Sequence, residues 1–306
     1  MHEGLIEIMA RLTGCPPAAI RIALRPPLEH QSNRLYEAWT DGQHLIVKEY
    51  LKPDELATAP FHEHRALELL APLDVVPQPV GIEPDHGPEG GPLVVYEYLE
   101  GEMWDRRKPS AADLAALSDA WLKVQAIPEE QVSGWFTDAR SVAEAYASFW
   151  ESFRQYAART DTAYLEGRRA ADLCLDVLER RRPIVAELHD LDQRDPRRCF
   201  CRSDARFANV IRRPDGRVGL VDWEDSGLRD PAREVMDLLS HPNQEDVLAP
   251  SEWQPFLEPY LAVQVPLDPL LPRRIDLYRA IYPIFWLSVL FQEGLRRAEK
   301  GSWPAG

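Results

Sequence analysis

The sequence has 306 residues, 45% of them hydrophobic, with fifty acidic against thirty-five basic residues and a formal net charge of -15. That balance argues against a nucleic-acid binder and suits either simple solubility or a cationic partner, and the length allows one two-lobed domain or two domains around a large core. Cys15, Cys174, Cys199 and Cys201 are too few and too scattered for a disulfide framework, no secretory signal pattern opens the chain, and the longest apolar run, 280–291, holds Pro283 and Ser288 and is too short to span a bilayer; a cytoplasmic protein is expected.

In chain order, Leu5, Ile8, Met9 and Leu12 share one face of a short helix over 4–12. A strand is expected over 20–24, stopped by Pro26 and Pro27, and a polar loop over 28–34 precedes a strand over 35–40. Asp41-Gly42 is a two-residue hairpin signal, with 44–50 as the return strand. Lys48 stands alone in that apolar strand, and burying an ammonium is costly unless an anion meets it. An ATP phosphate is one such anion. A carboxylate on the following helix, expected over 60–70, is another, and that helix offers Glu63 and Glu68. An edge-strand lysine turned to water is the alternative. Proline-rich 72–79 leads into a strand near Val80, glycine-rich 85–92 turns the chain, and 93–98 forms an apolar strand ended by Glu100-Gly101.

Beyond residue 100 the pattern becomes helical. Ser110 and Asp113 form a capping box, and Leu114, Leu117, Trp121 and Val124 follow on one face. Val142, Tyr146, Phe149, Phe153 and Tyr156 make a second stripe, which is expected to be core. A third helix starts near Ala170 and stops at Arg182-Pro183, with a fourth beyond it, because proline breaks a helix interior. Cys199 and Cys201 alternate on a strand and face the same side as reduced thiols. Helices over 231–241, 251–263 and 270–300 complete the chain, and Asp230 caps the first of them.

The stretch that carries chemistry is 201–231. Asp204 is followed five residues on by Asn209, and Asp222 ends a short apolar run, 218–221. The intervening Pro214-Asp215-Gly216 predicts a tight turn between two strands, with both acidic ends at one edge of the hairpin. Phosphoryl transfer from Mg-ATP needs this set: a carboxylate to orient and deprotonate the acceptor hydroxyl, and an amide oxygen and a second carboxylate to hold the metal. Asp204 is therefore the expected catalytic residue, and Asn209 and Asp222 are the expected Mg2+ ligands.

Residues 204–231, above all Asp222-Trp223-Glu224-Asp225 and Asp230-Pro231, resemble the small-molecule kinases of the aminoglycoside phosphotransferase and choline kinase superfamily, whose fold is similar to that of protein kinases. The resemblance implies an α+β, protein-kinase-like two-lobed fold. An antiparallel-sheet lobe would span 1–100 and a mostly helical lobe 101–306. It implies that Lys48, paired with Glu63, contacts the ATP α/β-phosphates, and that Ser32 in the flap loop meets a phosphate. It also makes 94–101 the interlobe hinge, with the backbone of Glu97, Tyr98 and Leu99 at the adenine. The sequence departs from the family in two places: Arg202-Ser203 stands where the family commonly has His-Gly, and the flap lacks its glycines.

The activity implied is transfer of the ATP γ-phosphoryl group to a hydroxyl of a small molecule. Candidate acceptors are an aminoglycoside or other antibiotic, an amino alcohol such as choline, and a sugar-like metabolite. The alternative is a nucleotide-binding scaffold without turnover. A protein kinase is disfavoured, because no segment between Asp222 and Asp230 is long enough to dock a peptide. Glu245, Asp246, Glu252 and Glu258 are interleaved with Trp253, Phe256 and Tyr260. That mixture suits an amine-bearing acceptor, or else a helix with a solvated acidic face and a buried aromatic one. No nucleic-acid or membrane partner is expected.

Overall fold

The computed structural model describes residues 3–26, 33–52, 56–84, 87–134, 142–158, 165–195, 197–242, 244 and 247–299. The chain opens with helix α1 (Glu3–Thr13), strands β1 (Arg21–Leu24), β2 (Arg34–Thr40) and β3 (Gln43–Glu49), helix α2 (Ala59–Leu70), and strands β4 (Pro79–Glu83) and β5 (Leu93–Glu97). The strands form one antiparallel sheet in the order β1-β2-β3-β5-β4. Gly42, at φ 81°, closes the β2–β3 turn in the left-handed region that glycine enters without steric cost.

Both faces of this sheet are covered, which explains the unbroken apolar runs in β3 and β5. Leu45, Val47, Leu93 and Val95 pack on Leu5, Ile8 and Met9 of α1. Ile46, Tyr50, Val94 and Tyr96 face the other way, onto Ala66, Leu67 and Leu70 of α2. The period-2 alternation of a strand therefore turns Lys48 toward α2, away from α1. The two helices expected in the first hundred residues, over 4–12 and 60–70, are both present, one on each face of this sheet.

The C-terminal part begins with β6 (Glu102–Met103) and α3 (Ala111–Gln125), followed by α4 (Val142–Ala157) and α5 (Leu165–Arg194). Ser110 Oγ accepts from Asp113 N–H and the Asp113 carboxylate accepts from Ser110 N–H, so the capping box is formed. The expected break at Pro183 is absent: α5 is one helix of 30 residues with Pro183 inside it. An interior proline costs about 3 kcal/mol. Leu178, Val185 and Leu188 are all buried on this helix, at roughly 1.5–3 kcal/mol each, and their burial outweighs that cost.

Short strands then carry the site: β7 (Cys199–Cys201), β8 (Val210–Arg212), β9 (Val218–Leu220) and β10 (Gly227–Arg229). The β8–β9 hairpin turns at Gly216, φ 82°, and pairs with β6, while β10 pairs with β7. Four helices follow: α6 (Pro231–Ser240), α7 (Gln254–Leu267), α8 (Leu271–Arg279) and α9 (Tyr282–Glu299). The last two were expected as one helix over 270–300. They separate at Pro283, which takes the favoured place in the first turn of the new helix, and the joint is tightened by bonds from Ala280 N–H to Leu277 O (3.2 Å) and from Ile281 N–H to Tyr278 O (3.0 Å). No helix among the described residues is long and apolar enough to cross a membrane.

Candidate active site

Lys48 is 4% exposed, and its ammonium lies 2.7 Å from Glu63 Oε2, 2.5 Å from Asp222 Oδ1 and 2.8 Å from Glu224 Oε2. The Tyr50 hydroxyl, two residues along the same strand face, also donates to Glu63. Burial opposes the charge on Lys48, but Asp222 and then Glu63 outweigh it and hold the ammonium well above its usual range. Glu68, the other helix candidate, instead sits beside Arg65 at the surface, 3.2 Å away.

The hairpin brings Asp204, Asn209 and Asp222 together. The Val221 N–H donates to Asn209 O (3.1 Å), which extends the β8–β9 ladder by one rung and sets Asn209 beside the start of the Asp222 turn. The Asn209 side-chain amide donates to Asp204 Oδ2 at 2.9 Å, leaving its amide oxygen as the atom available to a cation. Arg206 spans the two carboxylates, with Nε 2.9 Å from Asp204 Oδ2 and Nη2 3.2 Å from Asp222 Oδ2. Ser203 (φ 73°) and Asp222 (φ 66°) both occupy the left-handed region, which costs a non-glycine residue roughly 1–3 kcal/mol and is held only by surrounding structure.

The loop that carries Ser203 is held by α6 and by Gln244 beyond it. Glu234 Oε1 accepts from the Arg202 N–H at 2.7 Å, Asp237 Oδ2 from the Ala205 N–H at 3.1 Å, and Gln244 Oε1 from the Phe207 N–H at 2.9 Å. Asp230 caps the helix through the Ala232 N–H (2.9 Å) and is bound by the buried Arg274, which also holds Asp268. Arg202, where the family commonly has histidine, is 2% exposed and donates from Nη1 to Asn209 O at 2.8 Å, with Val221 O 3.5 Å away. One guanidinium thus braces the backbone at both expected metal ligands. An imidazole does stand near Asp204: His241 Nε2 is 3.7 Å from Asp204 Oδ1. Burial, then Arg206 and Arg202, push His241 down to about 4, so it is neutral at physiological pH.

Burial raises Asp204 above the usual carboxylate range against the pull of Arg206. Burial also disfavours the Asp222 carboxylate, but Lys48 and Arg206 prevail and bring it to about 2. Burial and the neighbouring carboxylates push Glu224 up to about 7.

At the end of β5 the Glu97 N–H donates to Gln78 O and the Tyr98 N–H to His44 O, each at 2.9 Å. Of the hinge backbone expected at the adenine, Leu99 N–H is therefore the donor without a backbone partner among the described residues. The Leu99 side chain docks on Gly219 of β9, where a Cβ would come within 2.5 Å of it. Ser32 lies outside the described residues, as do Glu245 and Asp246. Neighbouring Asn33 donates to Glu224 Oε2 at 2.9 Å. Trp253, Phe256 and Tyr260 are buried, Phe256 and Tyr260 edge-on against Trp121 of α3 and Trp253 against Phe207 and Phe256, and Glu252 pairs with Lys108 at 2.6 Å. The aromatic face of α7 is core rather than a binding surface. Cys199 and Cys201 are free thiols with sulfurs 3.5 Å apart.

The phosphotransferase enzyme family model matches residues 23–266, which takes in the sheet, the Lys48 strand, the central hairpin and α6. The chain belongs to the phosphotransferase enzyme family. No curated protein matches the sequence. Among solved structures, this phosphotransferase is similar to a spectinomycin phosphotransferase in complex with ADP and spectinomycin, with a TM-score of 0.70 and 14% identity over 96% of this chain and 88% of that one. It is similar to a choline kinase from Streptococcus pneumoniae, with a TM-score of 0.59 and 18% identity over 95% and 90%. It is also similar to an aminoglycoside phosphotransferase from Streptomyces rimosus in complex with ADP and streptomycin, with a TM-score of 0.58 and 20% identity over 94% and 100%. These likenesses establish the α+β kinase-like fold, with an antiparallel-sheet N-terminal part and a helical C-terminal part.

The phosphotransferase site has the donor set for a hard divalent cation. Glu63, Asp222 and Glu224 each offer an oxygen within 4.8 Å of the others, and all-oxygen ligands suit magnesium. Lys48 and Arg206 face Glu63, Asp222, Glu224 and Asp204, and a divalent cation among these carboxylates would favour the ionised form of Glu224. Glu224 was not singled out from the sequence as a site residue, although Asp222-x-Glu224 places two carboxylates on alternate positions after a strand. Glu234, Asp237 and Gln244 were also missed. Glu234 and Asp237 share a helix face at i, i+3, but the loop they hold is 32 residues away, a distance no local pattern spans.

Proposed function

We propose that the chain transfers the γ-phosphoryl group of ATP to a hydroxyl of a small molecule, with Asp204 as the base. The observation that carries this is one continuous network, Glu63–Lys48–Asp222–Arg206–Asp204, linking the sheet to the central hairpin. Lys48, oriented by Glu63, would bind the α/β-phosphates, with Ser32 as a further phosphate contact. Leu99 N–H and Glu97 C=O would hold the adenine. Residues 1–100 would form the nucleotide lobe and 101–306 the lobe that carries the catalytic loop and the acceptor. Asn209 and Asp222 would hold Mg2+, with Glu224 beside them, and the ion would neutralise phosphate charge.

In the reaction, the acceptor oxygen bonds to the γ-phosphorus as the bond to the β,γ-bridging oxygen breaks. The hydroxyl proton passes to Asp204, and ADP leaves with the bonding electron pair. Burial supports this role, since a raised carboxylate pKa lies nearer the operating pH and makes a better base. Free thiols fit a reducing, cytoplasmic setting. Spectinomycin, streptomycin and choline, named with the similar structures, place amine-bearing compounds on the panel of acceptors to screen.

ADP release measured against a panel of hydroxyl compounds, with Mg2+ and with chelator, tests the proposal. Acceptor-dependent, Mg2+-dependent ADP release and a new phosphomonoester signal by phosphorus NMR are expected. Nucleotide binding with no acceptor-dependent release would instead mark a non-catalytic nucleotide-binding protein.

A further inference from the structure

A cavity of ≈ 270 Å³ lies between α4, α6 and α9, beside the end of β10. Phe149 and Ser148 come from α4, Phe285 from α9, and the charged lining is Arg229 and Arg233. Arg233 Cζ stands 5.9 Å from the Phe285 ring centroid. Arg229 Nη2 donates to Asp225 O at 2.9 Å, while its Nε is buried without a hydrogen-bond partner. Among the described residues neither guanidinium forms an ion pair, but, against burial, Tyr282 hydrogen-bonds Arg233 and, with Asp237, holds its pKa above the usual range. Arg274, on nearby α8, shows the contrast: it meets both Asp230 and Asp268. Burial and the adjacent Arg233 both pull the Arg229 guanidinium below its usual range. Arg229 is the guanidinium left short of a partner, and an anion in the cavity would meet it with Arg233 beside it.

The walls of this cavity continue to the catalytic loop. Arg233 and Asp237 are one turn apart on α6, about 6 Å along the axis, and Asp237 binds the Ala205 N–H next to Asp204. On α9, Trp286 follows Phe285 and lies edge-on to His241, with ring centroids 4.3 Å apart, and His241 in turn faces Asp204. An acceptor lying along α6 would have one end at the arginines and its hydroxyl toward Asp204. We propose that the cavity receives an anionic oxygen group, a carboxylate or a phosphate, of the acceptor phosphorylated at Asp204. The transfer step rests on the phosphotransferase reading above, with the same bonds made and broken. The anion preference rests on Arg229 and Arg233. It points away from a purely cationic acceptor, and the α7 aromatics that suggested one are core.

Two measurements test this. The first is calorimetric titration of the ADP-saturated protein with inorganic phosphate and, separately, with malonate, so that the nucleotide site is filled. Wild type should bind saturably, and Arg229→Gln and Arg233→Gln should weaken binding by roughly 10- to 100-fold, the range of a charge-assisted hydrogen bond. Arg233→Lys keeps the charge and should recover part of the loss. The second is ADP release with matched acceptors: a hydroxy acid and its amide, an amino alcohol, and a sugar with and without a phosphate ester. Turnover should concentrate on the anionic members, and Arg233→Gln should raise their KM by a similar factor, with kcat changed much less. Absence of saturable anion binding, anion binding that both glutamine variants retain, or preference for neutral or cationic acceptors would overturn the proposal. Anion binding lost in the variants, with no ADP release from any acceptor, would count against the phosphotransferase reading and leave the anion site standing.

Discussion

Glu224 sits at the junction of the flap and the metal-ligand set, and its titration should be visible in the stability of the protein. Its carboxyl is pushed up to about 7 from 4.5. The folded state therefore binds more protons than the unfolded state between those values, and stability falls as pH rises across that window. The full shift corresponds to about 3 kcal/mol, of which about 2 kcal/mol develops between pH 5 and pH 7.5. The side chain is 14% exposed, so solvent screening takes away little of this. Glu224→Gln removes the titrating group while Asp237 and His241 titrate alike in both proteins. Urea unfolding at the two pH values should then show the variant gaining about 2 kcal/mol on wild type from the lower to the higher pH. Saturating Mg2+ should flatten the wild-type profile, because a bound cation favours the ionised carboxylate. Parallel pH profiles for wild type and variant would refute the reasoning.

Arg274→Met should cost about 3–5 kcal/mol in urea denaturation, because it leaves the Asp230 and Asp268 carboxylates buried and unpaired; a loss under about 1 kcal/mol would mean that they find other partners. Lys48→Ala should raise the KM for ATP and lower kcat. Glu63→Ala should do the same more weakly, since Lys48 keeps Asp222 at 2.5 Å and Glu224 at 2.8 Å, and equal effects from the two variants would contradict that ordering.

The sequence made some of this fold legible and hid the rest for identifiable reasons. Short-range signals survived: the Asp41-Gly42 turn, the Ser110/Asp113 box, the Pro214–Gly216 hairpin and the Asp230 cap all depend on residues within a few positions of one another. Lys48 was informative because a charge in an apolar strand demands a partner, and the structure supplies three. Pro183 misled because local propensity yields to tertiary burial along α5. The acidic and aromatic mixture at 252–260 left two alternatives, and burial of Trp253, Phe256 and Tyr260 decided for core. Arg202 was visible as a departure from the family motif, but its grip on the Asn209 and Val221 carbonyls depends on a fold that brings three loop segments together. The cavity arginines at 229 and 233 carry no sequence signal at all, since any charged residue near a helix start reads as solvated.

The central claim is that Asp204 does chemistry while Asp222 holds the metal and nucleotide. The direct test compares Asp204→Asn with Asp222→Asn for Mg2+-dependent nucleotide affinity and for acceptor-dependent ADP release. Asp204→Asn should keep affinity within a few-fold and lose about 10²–10⁴ in turnover, whereas Asp222→Asn should lose the metal-dependent affinity as well. Wild-type turnover by Asp204→Asn would contradict the account.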